Sequence, residues 1–358
     1  MIPGASDTGR FYTWGLAPEA ETAGLAVRLR AFLGAGVAEG AVADLRRLSH
    51  RWQVRTYRFR LVGGQSPGDW ILRLYEGSRA TERCQQESEL VANLWALGFP
   101  VPQMLAYAVD PQPLGQPFQI VRHVTGQTLA EELSRSQGPA RQRCIQRFMA
   151  LLVHLHRMPL HQAMPEGLRA RQLPADRLHA SLLTQARTLV VDTHGLREFE
   201  PLLAWVDRAF GDVCWGDLAL AHNDFHPGNI LCGLDGVDRL IDWTTVAASD
   251  HRYDLGWTLM LTAAYQGRQA CEAVFDAYQQ AWGQPIASID VFVVVAAVRR
   301  LLLRGLPVHA AAGTMGLPGP RLINDRHEAE HLRAVCALIA QISGLRLPGV
   351  ERLLHGLR

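Results

Sequence analysis

The residue types that could carry out chemistry are concentrated in residues 222–243. This segment begins His-Asn-Asp-Phe-His-Pro-Gly-Asn-Ile-Leu and ends with Ile-Asp-Trp. Asp224 lies in a predicted loop, Asn229 begins a predicted strand, and Asp242 ends the next strand, so a hairpin can bring the three side chains together. A carboxylate that accepts a hydroxyl proton, beside oxygen ligands for divalent cations, is what phosphoryl transfer from a nucleotide requires.

Each of these side chains also has a structural interpretation. Asp224 could cap a turn and Asn229 could satisfy loop backbone groups, as Asp and Asn often do. The occurrence of all three residues together favours a catalytic role over these structural roles. His222 and His226 are predicted to be structural, because a histidine in this setting more often bonds backbone or occupies a turn than acts as an acid or base.

The motifs resemble those of a known family. The spacing H-x-D-x-x-x-x-N, the I-D-W that follows, and Tyr253-Asp254-Leu255 are similar to the aminoglycoside phosphotransferase and choline kinase family, small-molecule relatives of the protein kinases. The resemblance runs from about Leu48 to Leu303. It implies an α+β, protein-kinase-like two-lobed fold, with a small N-terminal antiparallel-sheet lobe and a larger, mainly helical C-terminal lobe.

The same resemblance implies roles for individual residues. Asp224 is expected to be the catalytic base, Asn229 and Asp242 to bind Mg²⁺, and Asp254 to brace the catalytic loop. The expected activity is an ATP- and Mg²⁺-dependent transfer of the γ-phosphate to a hydroxyl of a small molecule. A protein kinase is disfavoured, because no A-P-E segment follows Asp242 and Trp243-Thr244 stands where such kinases have Phe-Gly.

Hydrophobic periodicity predicts the elements that position these residues. The first third of the chain reads ββαββ, with strands at Val54–Val62 and Trp70–Tyr75, a helix at Thr81–Leu97, and strands at Met104–Val109 and Phe118–Val124. After Gly126 the chain is mainly helical. Predicted helices cover Arg141–Arg157 and Glu198–Phe210, short strands cover Asn229–Leu234 and Arg239–Ile241, and everything beyond Asp254 is helical except the loop Gly313–Pro320.

Three regions are expected along the chain. Residues 1–40 form an N-terminal extension with a helical pattern at Leu25, Leu29 and Phe32. Residues 41–124 form the nucleotide-binding lobe, and residues 125–358 form the catalytic and acceptor-binding lobe.

The first lobe should supply a basic residue and a glutamate that orients it. Period-two alternation puts Ile71 and Arg73 on one face of their strand, so Ile71 could cover the adenine while Arg73 reaches the phosphates. Glu87 aligns best as the partner of Arg73, and Glu89 is the alternative. The structural reading is an exposed strand arginine with a surface ion pair, which contributes little stability.

Two further segments are predicted to contact the nucleotide. The loop before Val54, Ser49–Gln53, contains no glycine, so Ser49 and Arg51 are the side chains expected to replace backbone phosphate contacts. This departure from a glycine-rich loop supports an alternative function, a nucleotide-binding regulatory pseudokinase without efficient turnover. The backbone near Arg122 and Val124 matches the family's hinge and is expected to bind the adenine edge, or is a plain linker strand.

Composition excludes several other classes. All 36 basic residues are arginine, so enzymes that need a lysine, such as Walker P-loop and pyridoxal enzymes, are ruled out. A net charge of +2 without long runs of one sign argues against a nucleic-acid partner. The apolar run Val291–Val298 is too short to span a bilayer, so no membrane association is expected.

The six scattered cysteines and the lack of a signal-peptide pattern predict a cytoplasmic protein with reduced thiols. The sequence gives no indication of the oligomeric state. It indicates the chemical class of the phosphate acceptor but not its identity. From Leu255 to Arg358 there are ten arginines against seven acidic residues. This positive excess predicts a neutral or anionic acceptor, such as a sugar, polyol or hydroxy acid, because a polycationic aminoglycoside needs an acidic pocket.

Overall fold

The computed structural model describes residues 19–34, 40–51, 53–169, 198–304 and 326–356. The chain forms two compact units, each assembled from separate stretches of sequence. Unit 1 comprises Met1–Gln137, His161–Ala170 and Pro227–Thr244, and unit 2 comprises Gly138–Leu160, Arg171–His226 and Thr245–Arg358.

Unit 1 is built on a five-stranded antiparallel sheet. Its strands are β1 (Ala41–Arg51), β2 (Val54–Val62), β3 (Gly68–Tyr75), β4 (Met104–Ala108) and β5 (Phe118–Arg122), in the order β1-β2-β3-β5-β4. Strand β3 shows the expected alternation: Leu72 and Leu74 are buried on one face, while Ile71 and Arg73 lie half-buried on the other.

Helices cover both faces of this sheet. Helix α1 (Glu19–Phe32) places Leu25 and Leu29 in the core formed by the Leu72 face. Helix α2 (Ala80–Ala96) packs on the opposite face, where Cys84 contacts Tyr75. Helix α1 therefore covers the face of the sheet that carries Leu72, and helix α2 packs on the face that carries Arg73.

The structure corrects one prediction near the start of the sheet. Ser49 and Arg51, predicted to lie in a loop, belong to strand β1 and pair with Thr56 and Val54 of β2. Two register shifts in β1, the first next to Asp44 at φ 54°, break the period-two pattern that would have revealed the strand.

Unit 1 also contains a small sheet that carries residues 229–242. Strands β6 (Gly126–Thr128), β8 (Ile230–Gly233) and β9 (Asp238–Leu240) pair in the order β6-β8-β9. At Gly126 an added Cβ would lie 1.9 Å from the carbonyl oxygen of Cys232, so only glycine fits this strand pair. Helix α3 (Leu129–Arg135) follows β6, and Thr128 and Glu131 form a capping box at its start.

Unit 2 is mainly helical. Its main helices are α4 (Gly138–His156), α7 (Phe199–Gly211), α8 (His251–Gln266), α9 (Arg268–Trp282), α10 (Ile289–Arg304), α11 (Arg326–Ser343) and α12 (Pro348–Gly356). Strands β7 (Ala219–Ala221) and β10 (Ala247–Ser249) form a two-stranded sheet in unit 2. The short helices α5 (Leu160–Ala163) and α6 (Glu166–Arg169) follow α4 in the chain and belong almost entirely to unit 1. Helices α8 and α10 pack closely, since a Cβ on Gly256 would lie 2.7 Å from the Phe292 backbone.

An antiparallel-sheet unit and a mainly helical unit confirm the predicted α+β class. The apolar run at Val291–Val298 lies in α10 and is almost entirely buried within the unit. None of the helices in the described ranges is long and apolar enough to cross a membrane. The predicted loop Gly313–Pro320 lies outside the described residues.

Helix α1 offers a direct test of its role in closing the core. Leu29 is 0% exposed and Val27 is 64% exposed on the same helix. We expect Leu29→Ala to lower the free energy of unfolding by about 2–5 kcal/mol, because it leaves a cavity against the sheet. Val27→Ala is the matched control and should change it by no more than about 0.5 kcal/mol. Urea unfolding of both variants measures the difference, and equal midpoints would show that α1 does not close the core.

Candidate functional site

Strand β3 and helix α2 bring together the charged pair of unit 1. Arg73 Nη1 donates to Glu87 Oε1, and the two side chains are 17% and 4% exposed. Glu89, the alternative partner, instead accepts a hydrogen bond from Gln85 on the surface of α2. Of the two glutamates, Glu87 is therefore the one that contacts Arg73.

Further donors complete the surroundings of Glu87. Tyr75 donates its hydroxyl to Oε2 over 2.8 Å, and Gln119 on β5 donates to Oε1 over 3.3 Å. Burial lowers the pKa of Arg73, but the charges of Glu87, Tyr75 and Asp242 outweigh that effect and raise it. Burial and the Glu87 charge also raise the pKa of Tyr75. Arg73 and Tyr75 therefore stay protonated and hold the carboxylate fixed.

Asp242 lies on the other side of Arg73. Its Oδ1 is 3.8 Å from Arg73 Nη2 and accepts a hydrogen bond of 3.1 Å from the Thr244 hydroxyl. Its backbone has φ 68°, the left-handed conformation that aspartate adopts only at a cost. The Asp242 side chain is 41% exposed, so Arg73 connects a buried carboxylate to an accessible one.

Asn229 lies at the same end of the β8–β9 hairpin as Asp242. It closes the 3₁₀ turn Pro227–Asn229, and its carbonyl accepts the Ile241 N–H over 2.9 Å. The structure thus brings the predicted metal ligands Asn229 and Asp242 to one end of one hairpin. Amide and carboxylate oxygens are the hard donors that Mg²⁺ prefers, so this donor set fits the ion.

The other residues that are predicted to contact the nucleotide lie elsewhere in unit 1, on β1, on β5 and just after β5. Ser49 is buried in β1, and Arg51 ends that strand. Arg122 stacks its guanidinium on the Trp70 ring at 4.8 Å and donates its backbone N–H to Gln103. That backbone donor is therefore used within the unit. Val124 follows β5, outside regular structure.

In unit 2, a buried carboxylate holds the loop that carries Asp224. Asp254, fully buried in the first turn of α8, accepts the backbone N–H groups of His222 over 2.7 Å and Asn223 over 3.0 Å. Asn223 has φ 61°, and its side chain donates to the Thr245 carbonyl over 3.0 Å. The strained residue next to Asp224 is thus fixed from both sides, as the bracing role of Asp254 predicts.

Asp224 itself is oriented by a tryptophan that the sequence analysis did not identify. Trp257 on α8 donates its Nε1–H to Asp224 Oδ1 over 3.1 Å, and His226 Nε2 lies 3.7 Å from Oδ2. Arg299 on α10 stacks on the Trp257 ring at 4.5 Å and donates to the Asn223 carbonyl over 3.0 Å. Trp257 and Arg299 are distant from Asp224 in sequence, so no local motif could have found them.

A polar network lies behind Asp254. His156 Nε2 contacts Asp254 Oδ2 at 3.4 Å, and its Nδ1 is 2.8 Å from the Tyr278 hydroxyl, which also contacts His251 Nδ1 at 3.0 Å. Burial alone would raise the pKa of Asp254, but hydrogen bonds and charge from His156 and His222 lower it overall. Burial and the neighbouring His156 lower the pKa of His251 to about 4.

Comparison with known proteins shows which family the chain matches. The model of the APH family, described as a phosphotransferase enzyme family, matches residues 44–292. No curated protein sequence matches the chain. Many solved structures are similar in fold.

A putative aminoglycoside phosphotransferase from Ralstonia eutropha superposes with a TM-score of 0.65 and 15% identity, covering 93% of this chain and 98% of the other. A choline/ethanolamine kinase family protein from Mesorhizobium loti has a TM-score of 0.57 and 15% identity, covering 93% of this chain and 99% of the other. A thermostable mutant of the aminoglycoside phosphotransferase APH(4)-Ia, in a ternary complex with ADP and hygromycin B, has a TM-score of 0.58 and 15% identity, covering 87% and 97%.

The family match covers more than half of the chain, and the fold similarity extends over most of each solved structure. Both findings confirm the predicted protein-kinase-like fold. The chain therefore belongs to the APH phosphotransferase enzyme family, whose members transfer phosphate to hydroxyl groups.

Proposed function

We propose that this protein transfers the γ-phosphoryl group of ATP, in a Mg²⁺-dependent reaction, to a hydroxyl of a small molecule. The observation that carries the proposal is the arrangement of Arg73 between the buried Glu87 and the accessible Asp242. A nucleoside triphosphate needs positive charges around its phosphates. The guanidinium of Arg73 supplies one, and a metal ion held by Asp242 would supply the other. We assign nucleotide binding to residues 41–124, which carry Arg73 and Glu87.

The similarity to a phosphotransferase in complex with ADP supports a nucleotide as the phosphate donor. Arg73 would grip phosphate oxygens through its planar fork, and Ile71, two residues earlier on the same face of β3, would cover the base. Asn229 and Asp242 would hold Mg²⁺, which when bound neutralises charge on the phosphates.

Asp224 would act as the base of the reaction. The acceptor hydroxyl oxygen forms a new bond to the γ-phosphorus, while the bond from that phosphorus to the bridging oxygen breaks and its electron pair leaves with ADP. The hydroxyl proton passes to Asp224. Because Oδ1 accepts the Trp257 N–H, we assign the proton to Oδ2.

A second candidate function rests on the turn between β1 and β2. No glycine occurs in Ser49–Gln53, and Gln53 takes the positive φ of 62° that glycine would adopt more easily. A regulatory pseudokinase would bind nucleotide through Arg73 without efficient transfer. Measured turnover distinguishes the two functions, because the pseudokinase predicts nucleotide binding alone.

The role of Asp224 predicts a specific kinetic defect. We expect Asp224→Asn to leave nucleotide binding nearly intact and to reduce turnover by about two orders of magnitude or more, since the amide cannot take the hydroxyl proton. A screen of small-molecule alcohols for ATP consumption measures turnover, and nucleotide titration measures binding. Asp217→Asn, an exposed position seven residues earlier, is the matched control. Unchanged turnover in Asp224→Asn would reject the assignment.

Arg73 is expected to recognise the phosphates rather than the base. Arg73→Ala should weaken ATP binding by about 10- to 100-fold, the value of a charge-assisted hydrogen bond, and leave adenosine binding unchanged. Arg73→Lys, which keeps the charge, should recover much of the affinity. Isothermal titration with both ligands provides the measurement, and equal losses for ATP and adenosine would indicate damage to β3 instead.

Asp242 is expected to couple nucleotide binding to the metal ion. Wild-type affinity for ATP should rise when Mg²⁺ is added, and Asp242→Asn should remove most of that increase because it removes a charged oxygen ligand. Titrations with Mg²⁺ and with EDTA compare the two proteins. If the gain from Mg²⁺ is the same in both, Asp242 is not a metal ligand.

A further inference from the structure

Arg299 on α10 contacts the Asp224 loop within unit 2. Its Nη1 donates to the Asn223 carbonyl over 3.0 Å, and its guanidinium lies 4.5 Å from the centre of the Trp257 ring. Trp257 in turn donates to Asp224 Oδ1 over 3.1 Å. The guanidinium of Arg299 therefore lies over the face of the Trp257 indole, and the proposed base Asp224 accepts a hydrogen bond from the N–H at its edge.

Among the described residues of unit 2, no carboxylate makes a salt bridge to Arg299. Arg252, a buried arginine of the same unit, pairs with Asp250 at 2.7 Å. Burial lowers the pKa of Arg299, and the more distant charges of Asp224 and Asp254 offset only part of this effect. Arg299 is half-buried. A partly desolvated cation without a paired anion is destabilising, and an anionic ligand that paired with it would remove part of that cost.

The guanidinium also retains hydrogen-bonding capacity. It carries five N–H donors in a planar fork, and the described structure engages Nη1 with Asn223 and the ring face with Trp257. A carboxylate matches the geometry of such a fork with two parallel hydrogen bonds. A guanidinium stays protonated even when it is desolvated, so it is already charged before the anion binds.

We propose that Arg299 binds a carboxylate of the phosphate acceptor, which makes the acceptor a small hydroxy acid. This inference rests on the proposed function, because the hydroxyl of the same molecule must reach Asp224 Oδ2. The charge excess beyond Asp254 predicts a sugar, a polyol or a hydroxy acid as acceptor. The proposal selects the hydroxy acid, since neutral sugars and polyols carry no anionic group to pair with the guanidinium. A polycationic acceptor would place ammonium groups next to an existing cation, which repels them.

The test measures acceptor binding separately from nucleotide binding. The probes are matched pairs of a hydroxy acid and its primary amide: glycolate, lactate, glycerate and 3-hydroxybutyrate with their amides. Binding to the full chain is followed by ligand-observed NMR, with and without ADP and Mg²⁺. We expect at least one acid to bind about 10-fold or more tightly than its amide, as a charge-assisted pair would give.

The variants assign that preference to Arg299. Arg299→Gln keeps an N–H donor for the Asn223 carbonyl but removes the charge. It should abolish the preference for the acid, raise the acceptor KM by about 10-fold or more, and change kcat by less than about 3-fold. Arg300→Gln is the matched control, because Arg300 faces His331 and Tyr265 instead. Arg299→Lys should restore part of the preference, which separates loss of charge from loss of folding.

Several outcomes would overturn the proposal. In wild type, one is that no acid binds better than its amide, and another is that kanamycin is phosphorylated efficiently while the acids are inert. Equal effects of Arg299→Gln and Arg300→Gln would also reject it. A fall in kcat with unchanged acceptor KM would make Arg299 a positioning residue for the Asn223 backbone. If ATP fails to bind but the acid preference still depends on Arg299, the proposed function fails and the anion site stands.

Discussion

A buried carboxylate must receive hydrogen bonds from nearly every direction, because its charge is otherwise too costly away from water. Glu87 meets this requirement in unit 1 by accepting from Arg73, Tyr75 and Gln119. Asp254 meets it in unit 2 by accepting backbone and imidazole N–H groups. In each unit, satisfying the carboxylate fixes the neighbouring groups: the Arg73 guanidinium in one, and the backbone that leads into Asp224 in the other.

Elements with a strong period were predictable from sequence, and short or irregular ones were not. Strands β2 and β3 alternate apolar and polar residues over many positions, and α2 and α4 are long and amphipathic, so their positions match the prediction. Strand β1 escaped because its register shifts break the alternation. Strands β6, β7 and β10 contain only three residues each, too few for any period to appear.

The candidate site shows the same division. Spacing and resemblance pointed to Asp224, Asn229 and Asp242 because they lie within one short segment. Alignment pointed to Glu87 as the partner of Arg73, with Glu89 as the alternative. Trp257 and Arg299 contact the Asp224 loop from α8 and α10, which pack closely at Gly256, where any side chain would meet the Phe292 backbone. That contact depends on tertiary packing, which a local pattern does not encode.

The absence of lysine gives every fixed positive charge the shape of a guanidinium. Arg73 uses the fork to contact Glu87 while remaining near Asp242. Arg299 uses the flat face to stack on Trp257 and keeps its charge without a carboxylate contact in the described structure. An ammonium in that position would be more strongly hydrated in water and would lose its proton more readily on burial. At a partly desolvated position such as this one, an arginine therefore keeps its positive charge more firmly than a lysine would.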